Sequence, residues 1–273
     1  MRDGCIGFFT NPNKPHILEK VRAELMAMLS RGHLCTIHPN LKQYMADIDV
    51  PDFDEAHPNC IVAFGGDGTI LRAASVSIEY GAPILGVNLG RVGFLSEIVI
   101  DKLDEALRNI ALGRYRIEER MMLDCRINGD IKLSCLNDVL LYKKSFSGVA
   151  EISVDIDGID AGRVFCDGLV ISTPTGATGY SISAGGPVVA PGLDAAIITP
   201  VCPHTLCFRP IIVSADSTMS FIVNSGGLVA IDGIHIAEVS EKDRISVCRS
   251  AQHARFIRLE ERNLYSLIKD RLA

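Results

Sequence analysis

The sequence predicts an α/β plus all-β protein in two parts. An N-terminal parallel α/β domain is followed by a β-rich, sandwich-like domain, and the C-terminal segment returns to the first. Three observations carry this. Over residues 1–100 short apolar runs alternate with segments of helical spacing, the order of a parallel sheet covered by helices. From Arg116 to about Arg249 nearly every segment alternates or is β-branched, punctuated by turns such as Asn128-Gly129-Asp130 and Asp157-Gly158. Arg255-Phe256-Ile257-Arg258-Leu259 then reads as one more strand before a helical stretch at 261–272. The expected division is 1–100 with 250–273, and 101–249.

Taken in order, Cys5–Thr10 is a buried strand ended by the turn-rich Asn11-Pro12-Asn13-Lys14-Pro15. Ile17, Leu18, Val21, Leu25 and Leu29 fall at helical spacing from Pro15 to Ser30, and Gly32 stops that helix. Residues 34–39 suit a second strand, and 40–58 read as polar and irregular. Ile61-Val62-Ala63-Phe64 is a central strand running into Gly65-Gly66-Asp67-Gly68-Thr69 and a helix to about Tyr80. Pro83–Val87 is another apolar strand, followed by Asn88–Leu95. A helix at about 101–112 ends at Gly113. The β region has strands at 121–127, 131–142, 150–156, 162–172, 211–213, 219–223 and 228–231.

Composition narrows the function. Of 273 residues 48% are apolar, enough for real cores, and no apolar run approaches the ~18 residues that span a membrane. The net charge of −6 and the lack of a basic tract disfavour nucleic acid and anionic membranes as partners. The nine cysteines include no C-x-x-C pair and read as reduced thiols of a cytoplasmic protein, with Cys60, Cys125 and Cys166 as small buried hydrophobes.

The Gly65–Thr69 turn is the chemical centre. A strand entering a glycine turn at a helix N-terminus presents unpaired N–H groups and a positive dipole end to an anion. It is neither a Walker A loop nor a dinucleotide fingerprint, since Gly-Lys-Ser/Thr and G-x-G-x-x-G are both missing. An acid, Asp67, stands in the middle of it, which points to a hydroxyl being phosphorylated. The plainer alternative is a βα turn with Asp as a helix cap. Ligands of parallel sheets bind at the carboxyl ends of strands, which puts Asp67 and the 88–95 loop on one rim. Asp167–Pro187 is dense in hydroxyls, small residues and glycine around one aromatic, which suits a nucleotide or a plain surface loop. Asn137-Asp138 interrupts an apolar strand, as an edge pair or as ligands of a base and ribose. His204, between prolines, is read as a loop residue.

Together these pieces resemble the NAD kinase family. The likeness rests on Gly65–Thr69, Gly86–Leu95, Asn137-Asp138, Asp167–Pro187 and Cys202–Leu206 with Arg209-Pro210, in an order spanning nearly the whole chain. It implies transfer of the ATP γ-phosphoryl group to the 2′-hydroxyl of the adenosine ribose of NAD, giving NADP, with Mg²⁺ arriving on ATP and a homotetramer or homodimer as the assembly. Carried over, Asp67 faces the 2′-hydroxyl, and Gly65, Gly66, Gly68 and Thr69 cradle phosphate with Arg72 pointing back to the turn. Phe94 lines the NAD pocket, and Asn137 and Asp138 hold adenine and ribose. Asp167 approaches the nicotinamide end from a neighbouring subunit. Thr175, Thr178, Gly179, Tyr180, Ser181 and Ser183 frame the adenosine. The chain departs from the family pattern at Asp138, where Glu is common, at Gly179, where Ala is usual, and at Ile234 after Asp232-Gly233, where Gln is frequent.

Phosphoryl transfer has a loose transition state governed by positioning and charge neutralisation. A carboxylate is also a poor base for an alcohol, so Asp67 is read as orienting the hydroxyl and taking its proton late. The rivals are a lipid kinase of the diacylglycerol or sphingoid type, which shares the glycine turn, and a non-catalytic NAD(P)-binding regulator.

Overall fold

The computed structural model describes residues 4–90, 93–145, 147–204 and 208–260. The helical stretch expected at 261–272, and Arg91, Val92, Thr205 and Leu206 of the family motifs, lie outside the described residues. The chain forms two compact units, residues 1–119 with 254–273 and residues 120–253.

In the first unit β1 (Ile6–Thr10), β2 (Cys35–Ile37), β3 (Cys60–Phe64) and β4 (Ile84–Asn88) form a parallel sheet in the order β2-β1-β3-β4. The short β5 (Ile98–Val99) pairs parallel with β4. β1 and β3 are buried along their whole length, as strands covered on both faces must be. Helix α1 (Pro15–Ser30) has no side-chain cap, so its hold on the sheet comes from the buried stripe Ile17, Val21, Leu25 and Met28. Each such side chain contributes about 1.5–3 kcal/mol on burial. Helix α2 (Asp67–Tyr80) follows β3, and α3 (Leu103–Ala111) follows β5.

Two expectations need correcting here. The unit extends past residue 100 because α3 packs Leu103, Ala106, Leu107 and Ile110 into the same core as α1 and the strands. The 40–58 segment is not merely irregular. A 3₁₀ turn at Pro39–Tyr44 and a pairing of Ile37 with Asp52 fasten it, and Leu41, Met45, Val50 and Phe53 are buried.

The second unit is an antiparallel β structure with two layers around one core. It begins within β6 (Arg116–Ile127), then β7 (Ile131–Cys135), β8 (Asp138–Lys143), β9 (Ala150–Ile156), β10 (Ile159–Cys166) and β11 (Gly168–Ser172). A short helix α4 (Tyr180–Ser183) precedes β12 (Ala195–Val201), β13 (Ile211–Ser214), β14 (Met219–Val223), β15 (Gly227–Ile231), β16 (His235–Val239) and β17 (Ile245–Arg258). One layer runs β13-β12-β11-β8-β15-β16; the other holds β10, β9, β14 and the start of β17, with β6 and β7. Met121, Leu141, Ile152, Leu169, Ile198, Phe221 and Val247 meet between them.

The strand expected at 131–142 is broken into β7 and β8, because the N–H groups of Leu136, Asn137 and Asp138 all donate to the Asp232 carboxylate. The strand expected at 162–172 is likewise two, β10 and β11, parted at Asp167 and belonging to different layers. Strand β17 runs on out of the second unit, and Phe256 pairs parallel with Ile84 of β4 in the first. Among the described residues no helix is long and apolar enough to cross a membrane.

Candidate active site

In the first unit the chain builds outward from β1 in both directions, to β2 on one side and to β3 and β4 on the other. The loops after β1 and β3 therefore diverge at their carboxyl ends, which is where open parallel sheets hold ligands. A pocket of about 280 Å³ lies there, lined by Asn11 and Lys14 after β1 and by Gly66, Gly68, Thr69 and Arg72 after β3. Two cations thus converge on the N-terminus of α2, whose dipole and free N–H groups add to the pull on an anion. Gly65 directly follows β3 and donates its N–H to the Val87 carbonyl.

Asp67 begins α2, but its carboxylate turns to the 93–95 segment instead. Oδ2 accepts the Phe94 N–H at 2.9 Å, and Oδ1 accepts the Leu95 N–H at 3.2 Å. A carboxylate accepts about four hydrogen bonds, so two remain for a substrate hydroxyl. Gly93 permits the approach. A Cβ there would lie within 2.6 Å of both the Cγ and Oδ2 of Asp67. The Gly93 N–H donates to Ser96 Oγ at 2.5 Å, which sets the turn.

The second unit carries the other expected residues. Asp232, itself in the left-handed region at φ 50, gathers three consecutive N–H groups at 2.8–3.0 Å and so shapes the Leu136–Asp138 turn. The Asn137 carbonyl accepts the Thr173 N–H at 2.9 Å, and Thr173 Oγ1 donates to the Leu136 carbonyl at 2.6 Å. Gly176 packs flat against Asn137, where a Cβ would come within 2.7 Å of its Cα. Gly179 lies over the pair, since a Cβ there would be 3.6 Å from Asn137 Nδ2 and 3.9 Å from Asp138 Oδ2. Burial, and then the Asp232 charge, push the Asp138 carboxyl up to about 7, and burial also raises Asp232.

The expected residues divide into those that face outward and those that do not. Tyr180 opens α4 and is 40% exposed, which leaves it able to stack on a ligand. Ser183 is also exposed. Thr175 is buried and accepts from Arg120 Nη1 at 3.2 Å, and Thr178 Oγ1 donates to the Thr175 carbonyl at 3.3 Å. Ser181, expected as a nucleotide contact, is turned into the core. It is fully buried with its hydroxyl 2.9 Å from Thr199 Oγ1, so its part is to seat α4. Asp167, half-buried, pairs with Lys143 at 2.5 Å. It precedes β11, whose far end, Ser172, pairs with Asp138. At ~3.4 Å per strand residue those acids lie roughly 17 Å apart, so Asp167 does not join the Asn137–Asp138 cluster of its own chain.

Sequence reasoning passed over Asn11 and Lys14, whose only signal was a turn directly after a buried strand. It quoted Gly93 without giving it a role, and it set Asp232 aside.

A carboxylate fixed by backbone N–H groups, next in sequence to glycines that line a cationic pocket, defines a phosphotransferase of the Gly-Gly-Asp-Gly-Thr type. The N-terminal domain of the ATP-NAD kinases matches residues 6–115, and their C-terminal domain matches residues 136–259. The NAD kinase of Moorella thermoacetica is 38% identical over 278 residues, covering 98% of this chain and 88% of that one. That of Desulforamulus reducens is 37% identical over 279 residues, covering 98% and 96%. The crystal structure of an NAD kinase from Archaeoglobus fulgidus in complex with ATP superposes with a TM-score of 0.78 at 25% identity, over 97% of this chain and 98% of that one. Yeast NADH kinase complexed with NADH shares the fold, with a TM-score of 0.85 at 24% identity over 98% and 87%. The chain belongs to the ATP-NAD kinase family.

Proposed function

We propose that this chain is an NAD kinase that transfers the ATP γ-phosphoryl group to the 2′-hydroxyl of the adenosine ribose of NAD. The observation that carries this is Asp67, gripped by the Phe94 and Leu95 N–H groups while its glycine neighbours line the Lys14–Arg72 pocket. The donor's phosphates occupy that pocket, where Lys14, Arg72 and the start of α2 offset their charge. The free lone pairs of Asp67 accept the acceptor hydroxyl, hold it in line, and take its proton as the bond to phosphorus forms. Phe94 lines the pocket for NAD. In the second unit Asn137 and Asp138 hold adenine and ribose, with Thr175, Thr178, Gly179, Tyr180 and Ser183 around the adenosine.

Mg²⁺ arrives on ATP. It keeps most of its water and needs few protein ligands beside phosphate. Among the described residues no group of three or more His, Cys, Asp or Glu side chains stands ready to cage a metal. The working enzyme is a homotetramer or homodimer of the cytoplasm in which Asp167 meets the nicotinamide end of NAD bound to a neighbouring subunit. The rivals, a lipid kinase and a catalytically silent NAD(P) regulator, have less behind them, since the two family matches span both units.

Purified protein given ATP and NAD should form NADP, and Asp67→Ala should slow it by ~10⁴-fold, the upper end of what losing a positioned general base costs, leaving a residual rate that can be measured. Phosphorylation of diacylglycerol or a sphingoid base instead, or NAD binding without turnover, would overturn the proposal in favour of one rival or the other.

A further inference from the structure

The 93–97 segment that holds Asp67 is itself held from behind by a buried ionic cluster. Arg258, 1% exposed at the end of β17, donates from Nη1 to the Leu95 carbonyl at 3.3 Å and to Glu97 Oε2 at 3.0 Å. Its Nε donates to Glu118 Oε2 at 2.5 Å. Glu97 Oε1 also accepts the Leu259 N–H at 2.8 Å, and the Glu97 N–H donates to the Gly86 carbonyl at 2.7 Å. The Arg258 guanidinium stands 5.2 Å above the Phe256 ring. Leu95 thus has its N–H on Asp67 and its carbonyl on Arg258.

Stability alone does not ask for this. Burying a guanidinium and a carboxylate costs more desolvation than an apolar pair of similar size, and one nitrogen, Nη2, meets no partner among the described residues. What the planar fork adds is direction, fixing three acceptors at once where a lysine fixes one point.

We propose that Arg258, with Glu97, is a positioning residue for phosphoryl transfer: it sets the Leu95 peptide, and through it the Asp67 carboxylate. The proposal rests on the role given to Asp67 above. It also gives the returning C-terminal strand a part in the reaction.

Arg258→Lys keeps the charge and loses the fork. The kcat for NADP formation should fall about tenfold while KM for NAD and ATP stays within about twofold, the pattern of an interaction needed only in the transition state. Hydrogen exchange of the Phe94 and Leu95 amides should quicken at least tenfold, with the amides of β9 and β14 unchanged. Should Arg258→Lys not fold, the pair Arg258→Gln with Glu97→Gln removes both buried charges together and should give the same result. In an Asp67→Ala background Arg258→Lys should cost nothing further. Wild-type kcat with unchanged Phe94 and Leu95 exchange in a folded variant, or an equal loss with and without Asp67, would overturn the proposal. An inactive wild-type protein would sink the role of Asp67 instead, and the exchange rates would still decide whether Arg258 holds the segment.

Discussion

Gly93→Ala tests the site without touching a chemical group. The added methyl would overlap Asp67 Oδ1 and stand 2.6 Å from its Cγ and Oδ2, where ordinary contact needs at least 3.4 Å. The relief comes from moving either the carboxylate or the 93–95 segment by about 1 Å or more. A displacement of that size at a reacting group costs up to about 10²-fold in rate. Either movement also stretches the bonds from the Phe94 and Leu95 N–H groups, now 2.9 and 3.2 Å. Bonds to a charged acceptor contribute about 1.5–3 kcal/mol each, so a lower melting temperature should accompany the loss. The assay is initial-rate NADP formation at saturating ATP and NAD, with NAD affinity measured by calorimetry. The expected result is kcat down about 10²-fold with NAD affinity within a few-fold. Wild-type kcat in a folded Gly93→Ala protein would mean that the grip on Asp67 has no bearing on turnover, and the mechanism above would fall.

The other perturbations separate the remaining roles. Asp67→Asn should lower kcat by ~10²–10⁴, since it cannot take a proton. Its amide also turns a donor toward the Phe94 or Leu95 N–H, so circular dichroism and melting controls must accompany the rates; an unaltered rate would make Asp67 a turn residue. Lys14→Ala should raise KM for ATP several-fold and leave KM for NAD alone, and an unchanged KM for ATP in steady-state kinetics would remove Lys14 from the donor site. Tyr180→Ala should raise KM for NAD by an amount equivalent to about 1–3 kcal/mol, the usual worth of a base stacked on an aromatic ring, and no change would leave the exposed ring without a ligand. Asp138 carries a proton up to about pH 7 in the folded chain but releases it in the ordinary carboxylate range once unfolded. Its contribution to stability is therefore present in acid and lost as pH rises through 7. Melting curves from pH 5 to 8 should show a decline that Asp138→Asn flattens, and parallel curves would contradict the buried acid pair.

Much of this was legible because local signals and tertiary demands agreed. The runs at 61–64 and 84–87 were apolar without alternation, as strands buried on both faces must be, and the Gly65–Thr69 turn follows directly on the first. Strand β12 was missed because Ala195, Ala196 and Pro200 read poorly as a strand. It tolerates Pro200 because pairing with β13 stops at Ile198, and the missing N–H is not wanted there. The break at Asn137 was visible as polarity, but its cause, Asp232, lies 95 residues away and left no local mark. The inward turn of Ser181 was equally hidden, because its partner Thr199 stands on a strand the sequence did not reveal. Lys14 went unread for a related reason: nothing near it says that the loop after β1 adjoins the loop after β3.

That adjacency also resolves the difficulty the turn posed as a bare sequence, an acid placed where phosphate should bind. On the first turn of α2 successive side chains leave the axis about 100° apart, so neighbours in sequence need not share a direction. Gly66, Gly68, Thr69 and Arg72 line the pocket, whereas the Asp67 carboxylate is drawn toward the 93–95 segment by two N–H groups. In the proposed reaction, the two glycines on either side of Asp67 leave the donor's phosphates to meet backbone, Lys14 and Arg72. The acid, held aside, keeps its remaining lone pairs for a hydroxyl. A turn with a lysine in place of Asp67 would bind phosphate better and leave nothing to orient the acceptor. One with a larger residue at position 93 would collide with the carboxylate where it is now held. The Gly-Gly-Asp-Gly-Thr turn and Gly93 are therefore one device, which holds a negative charge beside an anion site without setting the two against each other.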